Sequence, residues 1–235
     1  STSMKKKEEM VLALAKELQM RKNELQQETE FSTIETIYFG GGTPSLGRPE
    51  MFSKLLEGIY EKFDTVAWDG RPLEVSMEVN PTLANESTLK NLKDAGINRI
   101  SVGVQSLRDD DLKFLGREHS GKQALDLLER SLEMFEGRVS ADLMFGTLSH
   151  HKALDAFVES SLRPILEKGV RHISLYELTI HRGTPFFNLY TRDKVHSMDD
   201  EVLASLYESC IDLCKEYGLY QYEVSNFAAS PEDEC

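Results

Sequence analysis

The chain has 235 residues, of which 40% are hydrophobic and 29% are charged. This composition is ordinary for a soluble globular protein, and the length suffices for one large α/β domain with a sizeable core. The formal net charge of −13 argues against binding along a phosphate backbone, so we expect no nucleic-acid partner. No apolar run approaches the roughly 18 residues that span a bilayer, so we expect no transmembrane segment. Three cysteines in so long a chain do not form a disulfide framework and indicate a reducing compartment.

The hydrophobic pattern predicts strands and helices that alternate along the chain. Strands are predicted over residues 34–39, 73–80, 98–107, 138–145, 171–180 and within 220–228. Helices are predicted over residues 4–30, 49–63, 86–95, 122–135, 153–168 and 199–217, with the acidic run 109–111 beginning another. This alternation predicts an α/β fold with a parallel sheet or barrel and right-handed crossovers. We expect one domain over residues 1–228 and a disordered tail over residues 229–235.

A glycine-rich loop follows the first predicted strand, in the sequence TIYFGGGTPS at residues 36–45. Glycines at the end of a buried strand let the backbone approach a ligand without an intervening Cβ. The loop lacks the Gly-Lys-Ser/Thr of a P-loop and the glycine spacing of a dinucleotide-binding fingerprint. The alternative is a strand-to-helix turn that binds nothing.

Polar residues occupy the predicted carboxyl ends of the strands, which is the edge where open α/β sheets and barrels bind ligands. They are Gly41-Gly42-Thr43, Glu78, Asn80, Gln105, Asp142 and residues 176–179. An inward-facing carboxylate must be hydrogen-bonded, because its burial without a partner is costly. The set therefore predicts a polar pocket suited to ribose and amide groups. The alternative is that Glu78 and Asp142 bond to neighbouring backbone or pair with Arg99 or Arg117.

Eight short sequence stretches occur in one order along the chain, and the ordered set is a far more specific family signal than any single stretch. They are YFGGGTPS at 38–45, EVNP at 78–81, SVGVQSL at 101–107, LGREHS at 115–120, DLMFG at 142–146, ISLY at 173–176, GTPF at 183–186 and QYEVSNFA at 221–228. In this order they resemble the radical S-adenosylmethionine superfamily, in the branch of HemW-type haem chaperones and oxygen-independent coproporphyrinogen III oxidases. Residues 137–140 are similar to the animal mitochondrial members.

The resemblance implies a partial, TIM-like (β/α)₆ barrel whose first strand and cluster-binding loop would precede this chain. It also implies S-adenosylmethionine as a cofactor, with Gly41, Gly42 and Thr43 holding its methionine end. The resemblance further implies contacts to its sulfonium side, carboxylate or ribose, or to a second such molecule. The residues implied for these contacts are Glu78, Gln105, Arg117 and Asp142. No catalytic residue and no metal ligand is assigned.

Two departures from the family pattern concern metal and haem binding. The Cys-x₃-Cys-x₂-Cys motif that holds a [4Fe–4S] cluster is absent, and Cys210 and Cys214 are expected to be small core residues of the last helix. The family usually has Gly-Leu-Pro-Gly-Gln after the fourth predicted strand, where this chain has GTLSHH at 146–151. The pair His150 and His151 is expected to be solvated; the alternative is ligation of haem or a metal.

Three functions remain open from the sequence. The first is haem binding and transfer, in which this chain supplies an S-adenosylmethionine-binding core and is expected to lack radical chemistry by itself. The second is an oxygen-independent coproporphyrinogen III oxidase-like enzyme of porphyrin biosynthesis. The third is a non-catalytic module that binds S-adenosylmethionine or a partner.

The expected partners follow from the same resemblance. They are haem or a porphyrin and a haem-acceptor protein, in mitochondria for a eukaryotic chain or the cytoplasm for a bacterial one. We also expect self-association, because an apolar strand left at a sheet edge promotes pairing with another chain.

Overall fold

The computed structural model describes residues 2–28, 33–65, 73–147, 155–192 and 198–235. Its strands are β1 (Thr33–Ile34), β2 (Thr36–Phe39), β3 (Asp64–Thr65), β4 (Glu74–Val79), β5 (Arg99–Gln105), β6 (Val139–Phe145), β7 (His172–Glu177), β8 (Tyr220–Glu223) and β9 (Asn226–Ala228). Its helices are α1 (Thr2–Glu28), α2 (Pro49–Tyr60), α3 (Glu86–Asp94), α4 (Asp109–Phe114), α5 (Gly121–Met134), α6 (Asp155–Phe157), α7 (Arg163–Leu166), α8 (Pro185–Tyr190) and α9 (Asp200–Glu216). A 3₁₀ turn spans Pro44–Leu46, and a π-helical segment, Val158–Leu162, joins α6 to α7.

The chain divides into two compact units, of which the first comprises Ser1–Val79 and Asn85–Ile100. In this unit β2 pairs with β4 in parallel, in a register that places Phe39 opposite Met77. Alternate residues of β4 are buried, because a strand turns successive side chains to opposite faces. Helices α2 and α3 each bury one apolar face, with Leu56 and Leu89 at 2% and 0% exposure. The short strands β1 and β3 form a separate parallel pair.

The second unit comprises Asn80–Ala84 and Ser101–Cys235. Its strands, which begin with residues 101–105 of β5, follow the order β5-β6-β7-β9-β8. Strands β6 and β7 are parallel over six residue pairs, whereas β9 runs antiparallel to both β7 and β8. Apolar residues of β5, β6, α5, α7 and α9 form the core of this unit. Within the described ranges, no helix has the length and apolar character that crossing a membrane requires.

The predicted elements agree closely with the structure, although the two-residue strand β3 was not predicted and three further differences occur. Residues 220–228 were expected as one strand and form the β8–β9 hairpin. The helix predicted over 153–168 is interrupted by the π-helical segment, which sequence periodicity does not signal. Helix α8 was expected as loop; the Thr184 hydroxyl accepts a hydrogen bond from the Phe187 N–H at 3.2 Å and caps it.

Residues 229–235, which the sequence predicts as a disordered tail, contact the β7–β9 region in the structure. Arg171 forms an ion pair with Asp233, with 2.8 Å between Nη2 and Oδ2. The Cys235 N–H donates to the Tyr222 hydroxyl at 3.1 Å, and the Tyr220 hydroxyl donates to Glu234 at 2.5 Å. These contacts join the last residues to the hairpin.

Candidate functional site

The glycine loop and Glu78 lie together at the carboxyl ends of the parallel strands β2 and β4. Gly41 and Gly42 have φ of +84° and +67°, a backbone conformation that L side chains rarely adopt. An added Cβ at either position would meet nothing within 4 Å, so the backbone there faces open space. The Gly41 N–H donates to Glu78 Oε2 at 3.2 Å, and the Tyr38 hydroxyl donates to the other carboxylate oxygen. A fixed carboxylate thus lies beside accessible backbone.

Glu78 and Arg99 do not pair, although the sequence left this pairing open. Arg99 instead bonds to Glu74, at the opposite end of β4, with 3.0 Å between Nη1 and Oε2. The other alternative for Glu78, a bond to neighbouring backbone, is confirmed by its contact with Gly41. Such a bond leaves acceptor capacity on the carboxylate, because each oxygen carries two lone pairs. Thr43 is half-buried and precedes the 3₁₀ turn, whose Leu46 N–H donates to its carbonyl at 3.1 Å.

Gln105 lies in the second unit, at the end of β5, and has a φ of +66°, which is rare for a residue other than glycine. The Ser106 N–H donates to the Val104 carbonyl at 2.8 Å, so the chain folds back on itself around Gln105. The buried His119 bonds to the same carbonyl through Nε2 at 3.2 Å, and Thr82 Oγ1 lies 3.5 Å from its Nδ1. This imidazole therefore supports the turn that carries Gln105.

The pKa of His119 is lowered chiefly by burial, and this outweighs the opposing hydrogen bond to Val104. The positive charge of Arg117 lowers the pKa of His119 further. Both effects favour the neutral ring, whose Nε2–H donates to the carbonyl while Nδ1 can accept from the Thr82 hydroxyl.

Asp142 and Arg117 occupy two other segments of the second unit. Asp142 is half-buried on β6 and accepts a hydrogen bond from the Ser101 hydroxyl at 2.8 Å. Arg117 is exposed after α4, and its N–H donates to the Leu112 carbonyl at 2.8 Å. No hydrogen bond or ion pair joins Arg117 to Gln105 in the part of the chain that the structure describes. Four of the seven predicted site residues therefore lie close together in the first unit: Gly41, Gly42, Thr43 and Glu78. The other three occupy separate segments of the second unit.

A buried polar cluster in the second unit was not predicted from the sequence. Asp111 is 1% exposed and accepts hydrogen bonds from the hydroxyls of Ser106 and Thr147, at 2.9 and 3.0 Å. The sequence presents Asp111 as one of three acidic residues at a helix start, where exposure is the ordinary expectation. No local signal distinguishes Asp111 from its two acidic neighbours, because its burial depends on hydroxyls that other segments supply.

The cysteines do not form a cluster site. Cys210 and Cys214 are fully buried on α9, as expected for core residues, whereas Cys235 is exposed. Burial raises the pKa of both buried thiols, that of Cys214 to about 12, so they stay protonated. Among the described residues, no three His, Cys, Asp or Glu side chains are grouped to hold a metal ion. His150 and His151 lie outside the described residues.

The donor set in the first unit fits S-adenosylmethionine, and the described thiols do not fit a [4Fe–4S] cluster. A carboxylate can accept from an ammonium group or a ribose hydroxyl, and open backbone groups can bond to an amino-acid moiety. Cluster irons require several converging thiolates.

Comparison with known proteins shows which family the chain is similar to. A model of the Radical SAM superfamily matches residues 8–155. The chain is 39% identical over 211 residues to radical S-adenosyl methionine domain-containing protein 1, mitochondrial, of Danio rerio, covering 87% of this chain and 46% of that protein. It is 36% identical over 200 residues to the heme chaperone HemW of Bacillus subtilis, covering 83% of this chain and 50% of that protein.

The fold is shared with a solved enzyme. Coproporphyrinogen III oxidase (HemN) from Escherichia coli, a radical SAM enzyme, superposes with a TM-score of 0.68 at 22% identity, over 86% of this chain and 44% of that one. The expected α/β fold of the radical SAM barrel type is therefore confirmed. The chain spans about half the length of the curated relatives it matches. Because the family model covers more than half of it, this chain belongs to the Radical SAM superfamily.

Proposed function

We propose that this chain is the S-adenosylmethionine-binding part of a HemW-type haem chaperone, and that the whole protein binds and transfers haem. The observation that carries the proposal is the contact between Glu78 and the Gly41 N–H, which places a carboxylate beside open backbone at the carboxyl ends of two parallel strands. That edge is where α/β folds bind ligands. The names of the relatives from Danio rerio and Bacillus subtilis support both halves of the proposal.

In this proposal the glycine loop and Glu78 hold the methionine end of S-adenosylmethionine. Gly42 presents its backbone N–H and both glycines present C=O groups to the amino-acid moiety, with Thr43 adding a hydroxyl, while the Gly41 N–H stays bonded to Glu78. Glu78 accepts from the ammonium group through the lone pairs that its contacts with Tyr38 and Gly41 leave available. S-Adenosylmethionine, when bound beside a [4Fe–4S] cluster, supplies radical chemistry in this superfamily. The described residues offer no thiolate set for that cluster, and we propose binding without radical chemistry in this chain alone.

Three residues of the second unit are proposed as further contacts to S-adenosylmethionine or to a second molecule of it. Arg117 can pair with a carboxylate through its fork of donors, and its exposure leaves the guanidinium accessible. Asp142 can accept from ribose hydroxyls, as it does from Ser101. Gln105 can donate and accept through its side-chain amide, and its unusual backbone conformation fixes the position from which that side chain extends.

Haem or a porphyrin, and a protein that accepts haem, are the proposed partners. We propose a mitochondrial location for a eukaryotic chain and a cytoplasmic one for a bacterial chain, in line with the names and sources of the relatives. Self-association through β2 remains a prediction.

Titration calorimetry with S-adenosylmethionine tests the first half of the proposal. We expect saturable binding that Glu78→Gln weakens by about tenfold to a hundredfold, because a charge-assisted hydrogen bond is lost. Glu74→Gln is the matched control, since it makes the same change on the same strand, beside Arg99. Equal losses in the two variants would refute the assignment of Glu78.

Haem titration tests the second half. We expect a saturable change in the haem absorption band on addition of the chain, with coproporphyrinogen III left unconverted. An enzyme acting on coproporphyrinogen III is the second candidate, favoured by the superposition on HemN. Absence of saturable haem binding by the chain would count against the chaperone and leave the enzyme as the candidate.

A further inference from the structure

Four side chains form a buried polar cluster, which we call the Asp111 cluster. It consists of Ser106, Asp111, Thr147 and Ser161, each no more than 1% exposed. Its members come from the turn after β5, the first turn of α4, the loop after β6 and the π-helical segment. The cluster therefore joins four segments of the second unit at one place. Buried polar groups must be hydrogen-bonded to one another, because each has lost its contacts with water.

The carboxylate of Asp111 is the centre of this cluster. Ser106 donates to Oδ2 at 2.9 Å and Thr147 donates to Oδ1 at 3.0 Å, so the two carboxylate oxygens bond to two different loops. The guanidinium Nε of Arg108 lies 3.6 Å from Oδ2 and supplies a countercharge. Hydrogen bonds to a carboxylate are stronger than those between neutral groups, and a low-dielectric surrounding strengthens them further.

The same cluster also fixes the backbone that follows Gln105. Ser161 Oγ accepts from the Leu107 N–H at 3.1 Å, and Ser106 Oγ accepts from the Arg108 N–H at 3.1 Å. The Ser106 N–H itself donates to the Val104 carbonyl at 2.8 Å. Three consecutive N–H groups after Gln105 are thus held, two of them by hydroxyls of the cluster. A non-glycine residue at positive φ persists only where its surroundings determine it in this way.

Thr147 links the cluster to a departure from the family pattern. The resemblance implies leucine at this position, within Gly-Leu-Pro-Gly-Gln, and a leucine would have no hydrogen to donate to a carboxylate. In this chain threonine supplies that donor to Asp111. The acid on α4 and the hydroxyl after β6 therefore complement each other, which sequence reading of either segment alone does not reveal.

We propose that Asp111 is a positioning residue that holds the Gln105 turn in its left-handed conformation by fastening it to the loop after β6. Asp111 acts through Ser106 on the turn and through Thr147 on the loop. Its consequence for ligand binding rests on the proposed function, in which Gln105 contacts S-adenosylmethionine. Without the carboxylate, the Ser106 and Thr147 hydroxyls lose their shared acceptor, and the turn relaxes toward ordinary backbone angles.

Hydrogen exchange of the ligand-free chain tests the positioning role without any ligand. We expect the amides of residues 106–108 to exchange about tenfold or more faster in Asp111→Ala and in Thr147→Val. Thr147→Val keeps the side-chain volume, so it remains informative if Asp111→Ala fails to fold. Asp110→Ala, an exposed acid on the same turn, is the matched control and should leave these rates unchanged. Unchanged rates in Thr147→Val, or a rise that strand β6 shares equally, would overturn the proposal.

A double-mutant cycle on S-adenosylmethionine affinity separates positioning from general damage. Thr147→Val should weaken binding when Gln105 is present and cause little further loss in a Gln105→Ala background. Equal losses in both backgrounds would show that the cluster acts independently of Gln105 and would overturn the proposal. If the wild-type chain binds no S-adenosylmethionine, the proposed function fails, and the exchange rates still decide the role of Asp111.

Discussion

Substitution of Glu74 by glutamine should lower the stability of the chain and leave its proposed ligand site intact. Glu74 and Glu78 lie on the same face of β4, at opposite ends of the strand. Arg99, which pairs with Glu74 at 3.0 Å, is only 4% exposed. In α/β barrels the amino-terminal edge of the sheet serves stability, while the carboxyl-terminal edge carries function. The two glutamates should therefore differ in what their loss affects.

The size of the effect follows from the burial of the pair. Removal of one partner from a buried ion pair costs about 3–5 kcal/mol, because the remaining charge stays buried. The side chain of Glu74 is 19% exposed, and glutamine keeps one oxygen that can accept from Arg99. We therefore expect the free energy of unfolding to fall by about 2–3 kcal/mol, below the full cost of a lost buried partner.

Urea denaturation followed by circular dichroism measures this change. The matched control is Glu78→Gln in the ligand-free chain, where an exposed contact is altered and a loss below about 1 kcal/mol is expected. A change in the free energy of unfolding of less than about 0.5 kcal/mol in Glu74→Gln, the range of ordinary surface substitutions, would refute the stabilising role of this ion pair. Equal losses in the two variants would refute it as well.

Three further predictions concern close packing, protonation and thiol reactivity. Gly121→Ala would bring Cβ to 1.9 Å from the Leu107 carbonyl oxygen, and we expect the free energy of unfolding in urea to fall by about 1–3 kcal/mol. Gly58→Ala, within a helix, should instead raise the free energy of unfolding by roughly 0.5–1 kcal/mol. Because the folded-state pKa of His119 is lowered, the unfolded chain binds more protons than the folded chain just below pH 6.5. The free energy of unfolding should therefore fall there as pH falls, and His119→Gln should remove that pH dependence. A thiol reagent should modify Cys235 rapidly in the folded chain and the two buried thiols on α9 only after unfolding; two or more fast thiols would contradict the buried assignment.

The elements that bury a regular face were predictable from the sequence. Strict alternation over residues 73–80 predicted β4 and its buried face, and both are confirmed. Cys210 and Cys214, one helical turn apart, were predicted as core residues and are fully buried. In each case the spacing of apolar residues indicates which side chains are buried, because that spacing matches the period of the strand or helix.

The features missed depend on contacts between distant segments. Nothing local to Gln105 indicates a positive φ, which arises where Ser106, Ser161 and His119 meet around its turn. Asp111 has the sequence context of an exposed helix start, yet hydroxyls from two other segments allow its burial. Long-range complementarity of this kind has no period, so pattern reading does not detect it.

The seven predicted site residues also differ in how far the sequence could predict their places. The Gly41–Glu78 contact could be anticipated, because neighbouring parallel strands bring their carboxyl ends to one edge of a sheet. Gln105 and Asp142 were predicted as site residues from their places toward the carboxyl ends of strands, whereas the assignment of Arg117 came from the resemblance alone. Their contact with ligand stays a prediction.

The most direct test of the account is the backbone amide signal of Gly41 and Gly42 during titration with S-adenosylmethionine. Nuclear magnetic resonance on the isotope-labelled chain resolves each glycine, and Gly169, at a helix end in the second unit, serves as the control. We expect saturable shifts of the Gly41 and Gly42 amides, reduced in Glu78→Gln, with the Gly169 amide unchanged. Saturable binding without any shift of these two amides, or no binding up to about 1 mM ligand, would contradict it.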